Sequence, residues 1–149
     1  KIGLVWNGNP ANLRERMRAI PSAAVVEMVK GMNASFICMA KDRPADIDVW
    51  PDNLHHFGDA FSDVADAAAA VENLDLVLSI DTLMTHLAGA LNKELWILLA
   101  PSADWRYLLD REDSPWYPSA RIVRRTNDED WHQFMTRVGA QLKARFADV

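Results

Sequence analysis

Short apolar runs recur along this chain, each followed by a helical pattern, and that alternation constrains the fold more than any other feature. Residues 1–6 (KIGLVW), 34–39 (ASFICM), 74–80 (LDLVLSI) and 94–99 (ELWILL) are almost free of polar alternation. Such runs read as strands covered on both faces, the condition of a parallel sheet. Between them lie helical patterns at 21–31, 63–73 and 82–91, with an amphipathic pattern at 128–146. Pro21 suits the first turn of its helix and Gly31 its stop. Weaker strands are expected at 54–57 and, on an edge, at 121–123. Pro44 and Pro51 mark 41–52 as a loop, and 101–118 reads as a long irregular segment.

Strands alternating with helices build βαβ units. The expected fold class is therefore α/β: a single Rossmann-like doubly wound parallel sheet, with 1–6 and 74–80 as central strands. The 149 residues suit one domain, residues 1–149, with one sizeable core. The first residue already lies in a strand and is not Met, so the chain is expected to be a piece of a longer protein.

The net charge of −5 argues against general nucleic-acid binding, because surfaces that track phosphate backbones are basic. No apolar run approaches the roughly 20 residues of a membrane helix, and the opening residues lead to the expectation of no secretory leader. Cys38 has no partner for an internal disulfide and reads as a small core residue. These features lead to a cytoplasmic expectation. No metal is expected, since HExxH, CxxC and EF-hand patterns are missing and the His55-His56 pair would point to opposite sheet faces. The GxGxxG and GxSxG signatures are missing as well.

Doubly wound sheets bind ligands at the carboxyl ends of their strands, which selects three segments. The first follows strand one. Asn7, Gly8, Asn9 and Pro10 make a tight exit, and Arg14, Arg16 and Arg18 follow at alternate positions. This cluster either grips phosphate oxygens or forms a solvated charged loop that Glu15 partly neutralises. The second segment is 79–91 (SIDTLMTHLAGAL). Asp81 or Thr82 can cap the helix that follows, whose exposed N–H groups favour an anion. The spacing predicts that Thr82, Thr85, His86 and Gly89 share a ligand-facing side, while Leu83, Leu87, Ala90 and Leu91 face the core. His86 is either a ligand contact or a satisfied structural histidine, and Asp81 has the alternative of a plain cap. The third segment is 100–118, where Asp104, Trp105 and Arg106 are assigned to the cleft, and Trp116 and Tyr117 to covering the sheet edge.

Three strings, GLVWNGNP…RERMRAIP, LDLVLSIDTLMTHLAGAL and DWRYLLDREDSPWYPSARIVRR, resemble the C-terminal domain of bacterial TPR-containing glycosyltransferases. That group is related to the heptosyltransferase-like glycosyltransferase family 9, and more distantly resembles O-GlcNAc transferase. The resemblance covers almost the whole chain. It implies the C-terminal half of a metal-independent GT-B fold that holds a nucleotide-sugar donor as substrate, with no other cofactor. It sets Asp81, Thr82 and His86 at the donor-binding helix start and Arg16 and Arg18 in a basic loop near the phosphates. Met39 and Lys41 then fall where the nucleoside is contacted. The implied partners are an N-terminal GT-B domain, which would carry the catalytic base, and TPR repeats of the same chain. Two departures stand out: Asn92-Lys93-Glu94 replaces the usual Gly-Lys-Pro, and Glu15 stands where Asp is usual. Asn tolerates the left-handed turn of a glycine.

Three readings follow as expectations. The first is the donor domain of a glycosyltransferase, inactive by itself. The second is a non-catalytic nucleotide-sugar-binding or interaction module attached to TPR repeats. The third is a structural remnant whose cleft face serves interdomain packing; the arginine cluster and the Asp-Thr…His string favour the first two.

Overall fold

The computed structural model describes residues 1–147; residues 148 and 149 of the expected domain lie outside the described residues. The strands are β1 (Ile2–Val5), β2 (Phe36–Cys38), β3 (Leu54–His56), β4 (Leu76–Ser79), β5 (Leu95–Leu99) and β6 (Ala120–Arg124). The helices are α1 (Glu15–Arg18), α2 (Ser22–Val29), α3 (Val64–Glu72), α4 (Leu83–Ala90) and α5 (Trp131–Arg145). The strands form one sheet in the order β3-β2-β1-β4-β5-β6, and every neighbouring pair is parallel. The expected α/β doubly wound sheet is present, with β1 and β4 at its centre and β6 on its edge.

Alternate strand residues feed two cores. Leu4, Phe36, Leu76, Leu78, Trp96 and Leu98 pack with α2 and α5 through Val25, Val29, Phe134 and Val138. Val5, Val77, Leu95, Ile97 and Ile122 pack with α3 and α4 through Val71 and Ala88. Both faces are covered, which is why the strand sequences are apolar without interruption.

Local chemistry sets the ends. Asp63 caps α3 by accepting from Ala65 and Asp66 N–H. Asp130 and Gln133 form a reciprocal capping box on α5. Pro21 sits just before α2, one position earlier than expected, and Gly31 takes a left-handed φ of 70° beyond its end. Asn92 adopts φ 53°, the left-handed turn expected of it in place of glycine. The short α1 lies where a loop was expected.

The chain order reverses between β1 and β4. The connection from β1 runs over one face through α2 and that from β4 over the other through α4, so their loops diverge and leave a crevice at the sheet's carboxyl edge.

Candidate functional site

The crevice is an open cleft of about 900 Å³. Its walls are the exits of β1 (Asn7, Gly8, Glu15, Arg18), β2 (Met39, Lys41, Arg43), β4 (Asp81, Thr82, His86) and Arg106 from beyond β5. Arg18, Lys41, Arg43 and Arg106 line it against Glu15, Asp42 and Asp81. In a chain of net charge −5, this makes the cleft a locally cationic place.

The β1 exit is built by side-chain-to-backbone turns. Asn9 and Asn12 carboxamide oxygens accept from Ala11 and Arg14 N–H, each at 2.9 Å. The turn of α1 then places Glu15 and Arg18 on one side. Glu15 is only 9% exposed; it accepts the Gly8 N–H and, at 2.8 Å, the Arg18 Nε–H. Arg18 in turn donates to the Asp81 carbonyl, bridging the two central strand exits. A Cβ at Gly8 would lie 2.7 Å from the Arg18 guanidinium and 2.9 Å from the Glu15 carboxylate, so a larger residue would have to push this ion pair aside. The reading of a solvated charged loop therefore fails for Glu15 and Arg18. Arg16 does project into solvent, away from the cleft lining.

At the β4 exit, Thr82 occupies the cap position of α4, but no side chain caps the helix. Its Oγ1 lies 3.0 Å from the Ser79 hydroxyl. Asp81, the other expected cap, is drawn aside. Its carboxylate accepts the Tyr107 hydroxyl at 2.6 Å and Arg106 Nη2 at 3.2 Å, and His86 Nε2 stands 3.6 Å away. The Thr85 N–H turns back to the Thr82 carbonyl at 3.1 Å, while the N–H groups of Leu83 and Met84, which form part of the cleft wall, take no side-chain cap. Burial, and then the bond to Asp81, push the Tyr107 phenol far above its ordinary pKa. Burial works against the charge of Arg106, but Asp81 and Asp104 outweigh it and hold the guanidinium above its ordinary value.

The sidedness expected for α4 is corrected. Thr85 and Gly89 face the core and are buried, whereas Leu83 is 60% exposed at the cleft rim. Thr85 Oγ1 donates to the Ile80 carbonyl at 2.7 Å, so it satisfies the strand end and is not free for a ligand. Gly89 lets the Tyr117 ring approach the helix; a Cβ there would lie 2.3 Å from the ring. Thr82 and His86, four residues apart, keep the expected side toward the cleft.

The segment after β5 also differs in part. Arg106 lines the cleft, but Asp104 sits behind it, pairing with Arg14 at 3.2 Å and approaching Arg106 Nε at 3.4 Å. Trp105 lies outside the main cleft and borders a second, smaller slot. Tyr117 packs over α4 and donates to or accepts from His86 Nδ1 at 2.7 Å. Trp116, expected to cover the sheet edge, instead stands 55% exposed against Trp105.

Sequence reasoning passed over Arg43, which stacks 4.4 Å from the Trp50 ring centre at the far end of the cleft. It also gave no role to Tyr107 or to the burial of Glu15. The spacing Glu15-x-x-Arg18 was the available signal for that ion pair. Asn7 lines the cleft with its Oδ1 enclosed and without a hydrogen-bond partner among the described residues. Those residues include no group of three or more His, Cys, Asp or Glu side chains arranged to hold a metal. They also include no helix long and apolar enough to cross a membrane.

The chain is similar to protein FlbA of Caulobacter vibrioides, at 28% identity over 155 aligned positions. That match covers 96% of this chain but only 25% of FlbA. No known protein family matches the chain, and no solved structure matches it.

Proposed function

We propose that this chain is the nucleotide-sugar-binding domain of a metal-independent GT-B glycosyltransferase, and that the cleft between the β1 and β4 exits seats the donor diphosphate. One observation carries the reading: the start of α4 is uncapped while Tyr107 and Arg106 hold the Asp81 carboxylate to one side. A helix start with free N–H groups and the positive end of its dipole is a seat for an anion. Arg18, fixed by Glu15 and the Asp81 carbonyl, stands across from it. Met39, Lys41 and Arg43 line the β2 side, where the nucleoside would lie. The resemblance to TPR-containing glycosyltransferases supports the same assignment.

Glycosyl transfer builds negative charge on the departing diphosphate, and preorganised N–H and guanidinium groups lower that barrier. The base that activates the acceptor belongs, on this reading, to an N-terminal GT-B domain. The chain then binds nucleoside diphosphate weakly in the cytoplasm and transfers nothing unaided. The alternative is a module that binds the same ligand next to TPR repeats without transfer; both share the diphosphate seat. Calorimetric titration with UDP, ADP and GDP tests that seat. Heat from one or more of them, weakening as salt rises, is the expected result. No heat from any of the three up to millimolar ligand overturns it.

A further inference from the structure

An indole exposed to water forgoes the burial that its large apolar surface would gain. Trp6 and Trp96 obtain that burial, at 2% and 4% exposure; Trp105 is 70% and Trp116 55% exposed. These two indoles meet edge to face, with ring centres 6.2 Å apart and planes at 86°. With Tyr107, Tyr117, His86 and Arg106 they enclose a slot of about 300 Å³. His86 and Arg106 line both this slot and the main cleft.

The slot is held in shape by its backbone. The Trp116 indole N–H donates to the Arg106 carbonyl at 3.1 Å. Ser114 Oγ accepts the N–H groups of Trp116 and Tyr117 at 3.2 and 3.3 Å. Leu108 and Asp110 take left-handed φ of 49° and 54°, a costly conformation for a leucine. Arg124 clamps that turn by donating to the Tyr107 and Leu108 carbonyls at 3.3 and 2.7 Å.

We propose that this slot is a second subsite and that it takes a pyranose ring. Its chemistry is split: aromatic faces on the walls, and an imidazole and a guanidinium toward the cleft. A pyranose presents C–H bonds to the electron-rich aromatic faces and hydroxyls to His86 and Arg106. His86 Nδ1 already meets Tyr117 and Arg106 Nη2 meets Asp81, which leaves His86 Nε2 and Arg106 Nη1 for a hydroxyl. A flat base is the poorer fit, because two indoles at a right angle form a corner and not a parallel stack. The inference rests on the diphosphate reading for its neighbourhood. A sugar linked to a phosphate at the start of α4 would reach the slot past His86. The ring has two possible sources, the donor sugar or a free glycan.

The test follows the indole N–H resonances of Trp105 and Trp116, assigned through Trp105→Phe and Trp116→Phe. The chain is titrated with UDP, ADP and GDP, with UDP-glucose, UDP-N-acetylglucosamine, ADP-glucose and GDP-mannose, and with the methyl glycosides of the same sugars. Sugar-bearing ligands are expected to move both indoles while the bare diphosphates do not. Trp105→Ala is expected to weaken the nucleotide sugar by about tenfold and to leave diphosphate affinity and melting temperature unchanged. Movement with nucleotide sugars alone identifies the donor sugar as the occupant; movement with free glycosides as well identifies a glycan. Indoles that move with glycosides in a chain that ignores every diphosphate would support the slot and sink the diphosphate reading. Indoles unmoved by every sugar-bearing ligand overturn the proposal, whatever the diphosphates do.

Discussion

The Tyr107 hydroxyl donates a 2.6 Å hydrogen bond to the Asp81 carboxylate and so keeps that carboxylate from capping α4. An aspartate directly before a helix cap would otherwise compete with any bound anion for the first-turn N–H groups. Tyr107→Phe removes the tether. The expected outcome is a stability loss of about 1.5–3 kcal/mol, the usual worth of a hydrogen bond to a charged group. Diphosphate affinity should fall as well, because Asp81 is freed to turn toward the helix start. Denaturant unfolding and calorimetry read the two effects. Unchanged diphosphate affinity in this variant would contradict the role given to the tether.

On the proposed reading Arg18 both braces the cleft and contacts the diphosphate. Arg18→Ala leaves Glu15 with the Gly8 N–H alone, which is expected to cost about 1.5–3 kcal/mol, the usual worth of a charge-assisted hydrogen bond. Arg18→Lys keeps the charge but loses the paired geometry, so it should recover part of both stability and diphosphate affinity. Replacing Arg16 in the same way should change neither, since it stands in solvent. Equal effects at positions 16 and 18 would rule out this division.

Gly89→Ala places a methyl group within 2.8 Å of three Tyr117 ring atoms. Alanine favours a helix by about 1 kcal/mol over glycine, but overpacking costs about 1–3 kcal/mol, and here the clash decides the sign. A lower melting temperature is expected, together with loss of the Tyr117–His86 contact. A more stable Gly89→Ala variant would show that the ring is not seated on the helix as described.

The pH dependence of stability is expected to carry the mark of Glu129. Its carboxylate accepts Arg137 Nε and Nη2 at 2.6 and 2.8 Å and the Thr126 N–H at 3.1 Å. Chiefly through the Arg137 bonds, its pKa falls from 4.5 to about 2. A carboxyl whose pKa is depressed on folding stabilises the fold above its unfolded value and loses that contribution as pH falls through the folded one. The stability gap between the native chain and Glu129→Gln should therefore be constant above about pH 5 and close toward pH 2. A gap independent of pH over that range would contradict the assignment.

Cys38 is fully buried. Burial pushes its thiol up to about 11, against smaller opposing effects of the Ala40 backbone and Arg43. Only the thiolate reacts, so a disulfide reagent at pH 8 should modify the native chain at least about a hundredfold more slowly than the unfolded one. Comparable rates would place Cys38 outside the core.

The sheet was legible in the sequence because apolar runs such as 74–80 admit few alternatives once helical patterns separate them. The asparagine turn at Asn92 was legible for the same local reason. The sides of α4 were not, because the boundary between core and cleft falls between adjacent residues, Thr85 and His86. Helical spacing groups those residues together, while in the fold Thr85 turns inward to the Ile80 carbonyl and the Tyr117 ring lies over Gly89. The tether from Tyr107 to Asp81 and the pairing of Trp105 with Trp116 were hidden too. Both depend on the path of an irregular segment that periodicity does not describe. Asp104 illustrates the difficulty: it lies close to the strand end in sequence yet sits behind Arg106 in space.

A diphosphate seated on the start of α4, as proposed, is reported directly by the backbone amides of Leu83 and Met84. Their resonances should be followed while the chain is saturated with UDP, ADP or GDP. The expected result is that these two amides shift more than those of any other helix start, together with the Arg18 Nε–H. Binding that leaves both amides in place, or no movement of either with any of the three diphosphates, would contradict it.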